Sequence, residues 1–184
     1  MTPVEGIGDA RQWFVMRDLK RTNAKEPAYK MLREQEVEVF TPMIWKVLTR
    51  QGKRVRVEVP FMADLLFVHE TRDALDPIVE KTPTFQYRWL RGTQREPMTV
   101  SDTQMSRFIH AVSLSDSPKY YLPEEITPAM LGHKVHIIGG ALDGYEGTLL
   151  KVRGSKSRKL LVELPGFLTA AVEVSPDYIQ IAPC

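Results

Sequence analysis

Residues Lys134–Val152 read KVHIIGGALDGYEGTLLKV. Val135 and Ile137, then Thr148, Leu150 and Val152, recur at every second position, the period of a strand. Gly139, Gly140, Gly144 and Gly147 lie between the two runs. Glycine accepts backbone angles closed to other residues, so the stretch predicts a strand, a tight loop and a second strand. A small β-barrel turns its corners this way. Working outward, strand patterns fall at Lys134–Ile138, Thr148–Arg153, Leu160–Leu164, Ala170–Val174 and Tyr178–Ile181. Short strands packed into about fifty residues predict a small barrel domain over 132–184, near the lower size limit for a domain that folds alone.

Upstream, 114–131 holds Pro118, Pro123 and Pro128 with serines and acidic residues and no apolar stripe. It reads as a linker. Before it, 13–113 alternates strands with helices. Trp13–Met16 is strand-forming. A helix is expected from the Ala24–Pro27 region through Gln35, and a strand over Val37–Phe40. Met43–Met62 reads as a hairpin turning at Arg50–Arg54, with Val55, Val57 and Val59 expected to face a core. Leu65–Val68 is a continuous apolar run, expected as a strand buried on both faces. Leu75, Ile78 and Val79 give a helix over Arg72–Lys81, and Phe85–Leu90 a further strand. Ser101 with Gln104 makes a capping-box pattern ahead of the stripe Met105, Phe108, Ile109 and Val112. The fold class expected is α+β: an N-terminal antiparallel sheet flanked by helices, then a small SH3-like β-barrel. Residues 1–12 read as a flexible tail.

The composition excludes several classes. Lys+Arg number 25 against 23 Asp+Glu, so net charge does not by itself announce a nucleic-acid binder. No apolar run reaches the ~20 residues that cross a bilayer, and the start lacks a basic-then-apolar signal. Cys184 is the sole cysteine, so no disulfide forms within the chain, which points to the cytoplasm. His69, His110, His133 and His136 are scattered, and the last two face opposite sides of a strand, so no metal site is expected. There is no phosphate-binding glycine loop, nucleophile elbow or paired carboxylate, which argues against an enzyme and against a cofactor.

The Lys134–Val152 stretch resembles the KOW motif, with Gly140 and Gly147 at its two glycine positions and Ala141 where proline is usual. The two-part order resembles the NusG family of transcription elongation factors. WFVM at Trp13–Met16, VEVFTP at Val37–Pro42, PFMADLLFV at Pro60–Val68 and LPGFLTAAVEV at Leu164–Val174 are similar to its successive strands. After Phe61 the chain has Met62-Ala63-Asp64 in place of the family's Pro-Gly turn. That departure points to a specialised paralogue similar to the UpxY-like antiterminators of surface-polysaccharide operons.

The resemblance implies a monomer that binds the clamp helices of RNA polymerase through the N-terminal domain. Candidate anchors are Phe61, Leu65, Phe67, Phe85, Tyr87 and Trp89; the same residues also suit a core. Arg50, Lys53, Arg54 and Arg56, at the hairpin tip and its outer face, are candidates for contacting the far side of the cleft, non-template DNA or nascent RNA, or are a solvated turn. In the barrel, Gly140, Leu142, Tyr145, Gly147 and Phe167 are candidates for meeting a ribosomal protein or Rho. Lys151–Lys159 is a basic loop, solvated or in contact with RNA or an acidic protein. Two alternatives stand beside an antiterminator: a general NusG coupled to Rho or the ribosome, and a KOW-type ribosome-associated RNA-binding protein.

Overall fold

The computed structural model describes residues 10–21 and 24–183. Residues 1–9 of the expected tail, residues 22–23 and Cys184 lie outside the described residues. The chain divides into two compact units, Met1–Met105 and Ser106–Cys184.

In the first unit, β1 (Gln12–Asp18) leads to α1 (Ala28–Glu34) and β2 (Glu38–Phe40). No side chain of α1's own N-cap residue, Pro27, holds its first turn. Asp18, buried at the end of β1, does so instead: its carboxylate accepts from the Ala28 N–H at 2.6 Å and from the Lys20 N–H at 3.0 Å. A carboxylate at a helix N-terminus satisfies an orphan donor and opposes the helix dipole. A hairpin follows, β3 (Met43–Arg50) and β4 (Lys53–Pro60), then β5 (Leu65–Glu70), α2 (Arg72–Lys81), β6 (Phe85–Tyr87) and β7 (Thr99–Val100). Thr71 caps α2, its hydroxyl accepting from Ala74 N–H at 3.2 Å.

The sheet runs β2-β5-β1-β6 with β7 beside β1, and its pairings are antiparallel. Successive side chains of a strand point to opposite faces. One face carries Phe14, Met16, Leu66, Val68, Phe85 and Tyr87 and packs on Ala28 and Leu32 of α1 and Leu75 of α2. Trp13, Val15, Leu65 and Phe67 on the other face are also buried. Leu65–Val68 is thus covered on both sides, as its unbroken apolar run predicts. The Phe85–Leu90 strand is shorter than expected, because beyond Tyr87 the chain makes only an isolated bridge, Trp89 to Pro97.

α3 (Asp102–Ser113) begins where the capping pattern places it. The Ser101 hydroxyl oxygen accepts from Gln104 N–H, while the Gln104 amide oxygen accepts from that hydroxyl rather than from the Ser101 N–H.

From Ser106 onward the chain belongs to the second unit. The expected linker 114–131 is not wholly irregular. Its residues Lys119–Tyr121 form β8, which pairs with β12 (Leu168–Val174), and prolines open two short 3-10 turns at Pro123–Glu125 and Pro128–Met130. Those prolines conceal the strand: KYY is too short to show a period, yet Tyr120 is buried with its ring 6.3 Å from that of Phe108. The rest of the sheet is β9 (Leu131–Ile137), β10 (Glu146–Leu150), β11 (Arg158–Leu164) and β13 (Ile179–Ile181), in the order β13-β9-β10-β11-β12-β8. Gly147 lies in β10, where an added Cβ would meet Leu161 O at 2.9 Å. A side chain there would push β10 off β11.

Candidate functional site

The hairpin is the most exposed regular element of the first unit. Its ladder runs without slip from Met43 opposite Pro60 to Arg50 opposite Lys53. Gln51 and Gly52 close it with φ of 50° and 74°. Two positive φ values are the mark of a type I′ turn, whose twist matches that of the strands. The expected core beneath Val55, Val57 and Val59 is absent: Val55 is exposed and the other two only half-buried. Alternation distinguishes the two faces of a ribbon, but it does not supply a cover for either. Trp45 and Val47 are 43% and 65% exposed. A two-stranded ribbon with neither face covered is marginal in water.

Its polar chemistry is cationic. Cross-strand partners share a face, so Arg50 and Lys53 stand together on one side, and Arg54 and Arg56 on the other. The four are therefore split between two faces rather than gathered on one. Like charges directly opposite each other destabilise a pair, and an anion bound between Arg50 and Lys53 relieves that repulsion. Arg56 lies over the Trp45 ring, 4.4 Å from its centroid, a cation–π contact that stiffens an exposed aromatic.

A second cluster surrounds Tyr87. Its hydroxyl donates to Asp76 Oδ1 at 2.7 Å, and Arg72 Nε donates to the same oxygen at 3.0 Å. The Arg72 guanidinium also lies over Tyr87 and Trp89, at 5.1 and 5.8 Å. Burial, then the bond to Asp76, push the Tyr87 phenol well above its ordinary range. Of the six candidate anchors, Leu65, Phe67, Phe85 and Tyr87 are buried. Docking anchors must reach solvent, so these four are packing residues here. Phe61 is half-buried and Trp89 is 41% exposed.

In the second unit the glycine loop is held from within. Tyr145 donates to Arg107 O at 2.8 Å, Arg107 lies 4.5 Å over the Tyr145 ring, and Arg107 Nη2 donates to Glu146 O at 2.8 Å. His110 Nε2 bonds Ala141 O at 2.9 Å. Burial raises the Tyr145 phenol. Of the candidate residues Leu142, Tyr145 and Phe167, Leu142 is buried and Phe167 half-buried, so the three form no exposed apolar patch. Gly140 meets the Tyr178 ring, which would lie 2.7 Å from an added Cβ. Gly140 and Gly147 thus serve close packing rather than display.

Residues 11–109, more than half of the chain, match the family described as transcription termination factor nusG. The chain belongs to the NusG family. A solved structure, described as domain interaction in Thermotoga maritima NusG, is 16% identical, covers 94% of this chain and 98% of its own, and superposes with a TM-score of 0.48. No curated protein matches the sequence. The NusG family consists of transcription factors that bind RNA polymerase, and its matched segment contains the whole hairpin and the Tyr87 cluster.

Two residues of this NusG-family chain carry roles that pattern reading missed. Asp64, where the family's Pro-Gly turn is absent, pairs with Arg88 at 3.6 Å, and its carbonyl accepts from Asp18 N–H. Arg88 Nε is buried with no hydrogen-bond partner, and desolvation lowers the guanidinium pKa. Asp18 itself carries no pattern in the sequence; only its closeness to Ala28 in the folded chain reveals it as a cap. Among the described residues no cluster of His, Cys, Asp and Glu could hold a metal, and no helix is long and apolar enough to cross a membrane.

Proposed function

We propose that this chain is a non-catalytic elongation and antitermination factor that docks on the clamp helices of RNA polymerase through its first unit. The hairpin carries the reading: within the family-matched segment, a basic ribbon is built with no core of its own. Such a ribbon fits insertion into a charged cleft. Arg50, Lys53, Arg54 and Arg56 contact nucleic-acid phosphates or the far wall, while Trp89 and Phe61 supply surface for the clamp. Bridging the cleft favours its closed state and so disfavours pausing, a shift of population rather than a reaction. The second unit, read as a KOW barrel, recruits a further partner at raised effective concentration. Specialisation toward long operons, such as those for surface polysaccharides, is supported by the Met62-Ala63-Asp64 departure.

Co-purification with core polymerase tests the docking. Wild type is retained at low salt, Trp89→Ala is retained less, and a wild-type chain that is not retained refutes the proposal. The family description favours a second reading, a NusG that promotes termination. A reporter downstream of a Rho-dependent terminator separates the two: expression rises for an antiterminator and falls for a termination factor.

A further inference from the structure

The second unit has a groove away from the glycine loop, of about 670 Å³, lined by the start of β9, the end of β10 and β13. Its apolar side chains are mostly aliphatic, Leu131, Leu149, Val152, Ile179 and Ile181, and they alternate with polar surface that includes His133. Three of these are strongly exposed, Leu131 and Val152 at 42% and Ile181 at 63%. The volume lies within the range of binding clefts. Lys151 and Arg158 stand at the rim. They begin and almost end a basic stretch, Lys151 to Lys159, that contains five cations and no carboxylate. Lys159 lies opposite Glu173 in the ladder, and Arg158 opposite Val174.

We infer that this groove is a docking site for an extended peptide segment of a partner protein that carries aliphatic side chains flanked by acidic residues. Three observations select that occupant. His133 is the one aromatic ring of a lining that holds no Phe, Tyr or Trp. Single-stranded nucleic acid is gripped largely by stacking its bases on aromatic rings, so the lining suits leucine-like side chains instead. The two cations at the groove, Lys151 and Arg158, complement carboxylates and repel a basic partner. Finally, β13 ends the strand order and, among the described residues, pairs with β9 alone. Its free side is an edge that an extended peptide backbone can join, while Ile179 and Ile181, two residues apart, present one face to alternate peptide side chains. The inference does not depend on polymerase docking, and the groove shares no residue with the loop held by Arg107 and His110.

The test titrates the full chain, with methyl groups labelled for NMR, with three probes: a nonapeptide alternating glutamate with leucine and isoleucine, its lysine counterpart, and a decamer of oligouridylate. The expected result is saturable shifts of the Leu131, Val152 and Ile181 methyls with the acidic peptide alone. Ile181→Asp puts a charge into the apolar contact at an exposed position where folding is unaffected, and should weaken the acidic peptide about tenfold. Arg158→Glu should abolish the preference for glutamate over lysine. The inference is overturned if the acidic peptide leaves those methyls unmoved, if the lysine peptide binds as tightly to wild type, if the shifts map instead to the Leu142 methyls in the glycine loop, or if oligouridylate occupies the groove.

Discussion

Removing three hairpin cations, as Arg50→Ala, Lys53→Ala and Arg54→Ala together, tests the ribbon's role by its salt response. All three are exposed at the tip, and Arg56 is left in place on Trp45. Each phosphate neutralised on a single strand contributes about −0.7 to the slope of log affinity against log salt. Four contacts give a slope of about −2.8, so raising salt fourfold, from about 50 to about 200 mM, weakens binding by about 50-fold. With Arg56 alone the slope is about −0.7 and the same change costs about threefold. The assay is fluorescence anisotropy of labelled elongation complexes, assembled with and without the non-template strand. The hairpin's contribution to the slope should vanish for wild type and variant alike when that strand is omitted. Surface changes of this kind move stability by under about 0.5 kcal/mol. Equal slopes for wild type and variant on the complete scaffold would refute phosphate contact and leave the tip a solvated turn.

The remaining expectations concern packing. Asp18→Ala removes two hydrogen bonds to a buried carboxylate and the cap of α1, costing about 2–4 kcal/mol. Trp13, Trp45 and Trp89 are the chain's three tryptophans and all lie in the first unit, so their fluorescence follows that unit; with a urea slope of about 1.5 kcal/mol per M the midpoint should fall by roughly 1.3–2.7 M. Gly147→Ala forces β10 from β11 and should cost about 1–3 kcal/mol, read as faster hydrogen exchange of the β10 and β11 amides with β1 and β5 unchanged. The raised Tyr87 pKa means the folded state holds that proton more tightly. Its stabilisation is therefore complete below the ordinary tyrosine value of about 10 and is lost as pH climbs toward the folded value. Tyr87→Phe should remove one late-rising phenol from the tyrosinate absorbance titration and lessen the alkaline loss of first-unit stability.

Elements with an uninterrupted signal are legible in this sequence. Leu65–Val68 is a four-residue apolar run and proves buried on both faces. Arg72–Lys81 and the Ser101 cap announce their helices through spacing. The five strands expected in the second unit fall within a few residues of their period. What escaped depends on partners distant in sequence. Period cannot tell whether Val55–Val59 will find a cover, and they do not. Nor can it tell an exposed aromatic from a buried one, so Phe85 and Tyr87 are core while Trp89, two residues on, is at the surface. The KYY strand is invisible because three residues carry no period and neighbouring prolines mask it.

That hidden strand constrains how the second unit can be handled in isolation. A fragment begun at Gly132, the boundary composition suggests, would forfeit Lys119–Tyr121 and leave Thr169, Ala170 and Ala171 paired to β11 alone. The strand so uncovered, LTAAVEV, is apolar at five of its seven positions. Naked edges of that character template sticky self-association. A truncated piece would then precipitate or stack for reasons unrelated to its natural guests, whereas one begun ahead of Lys119 keeps its own selvedge.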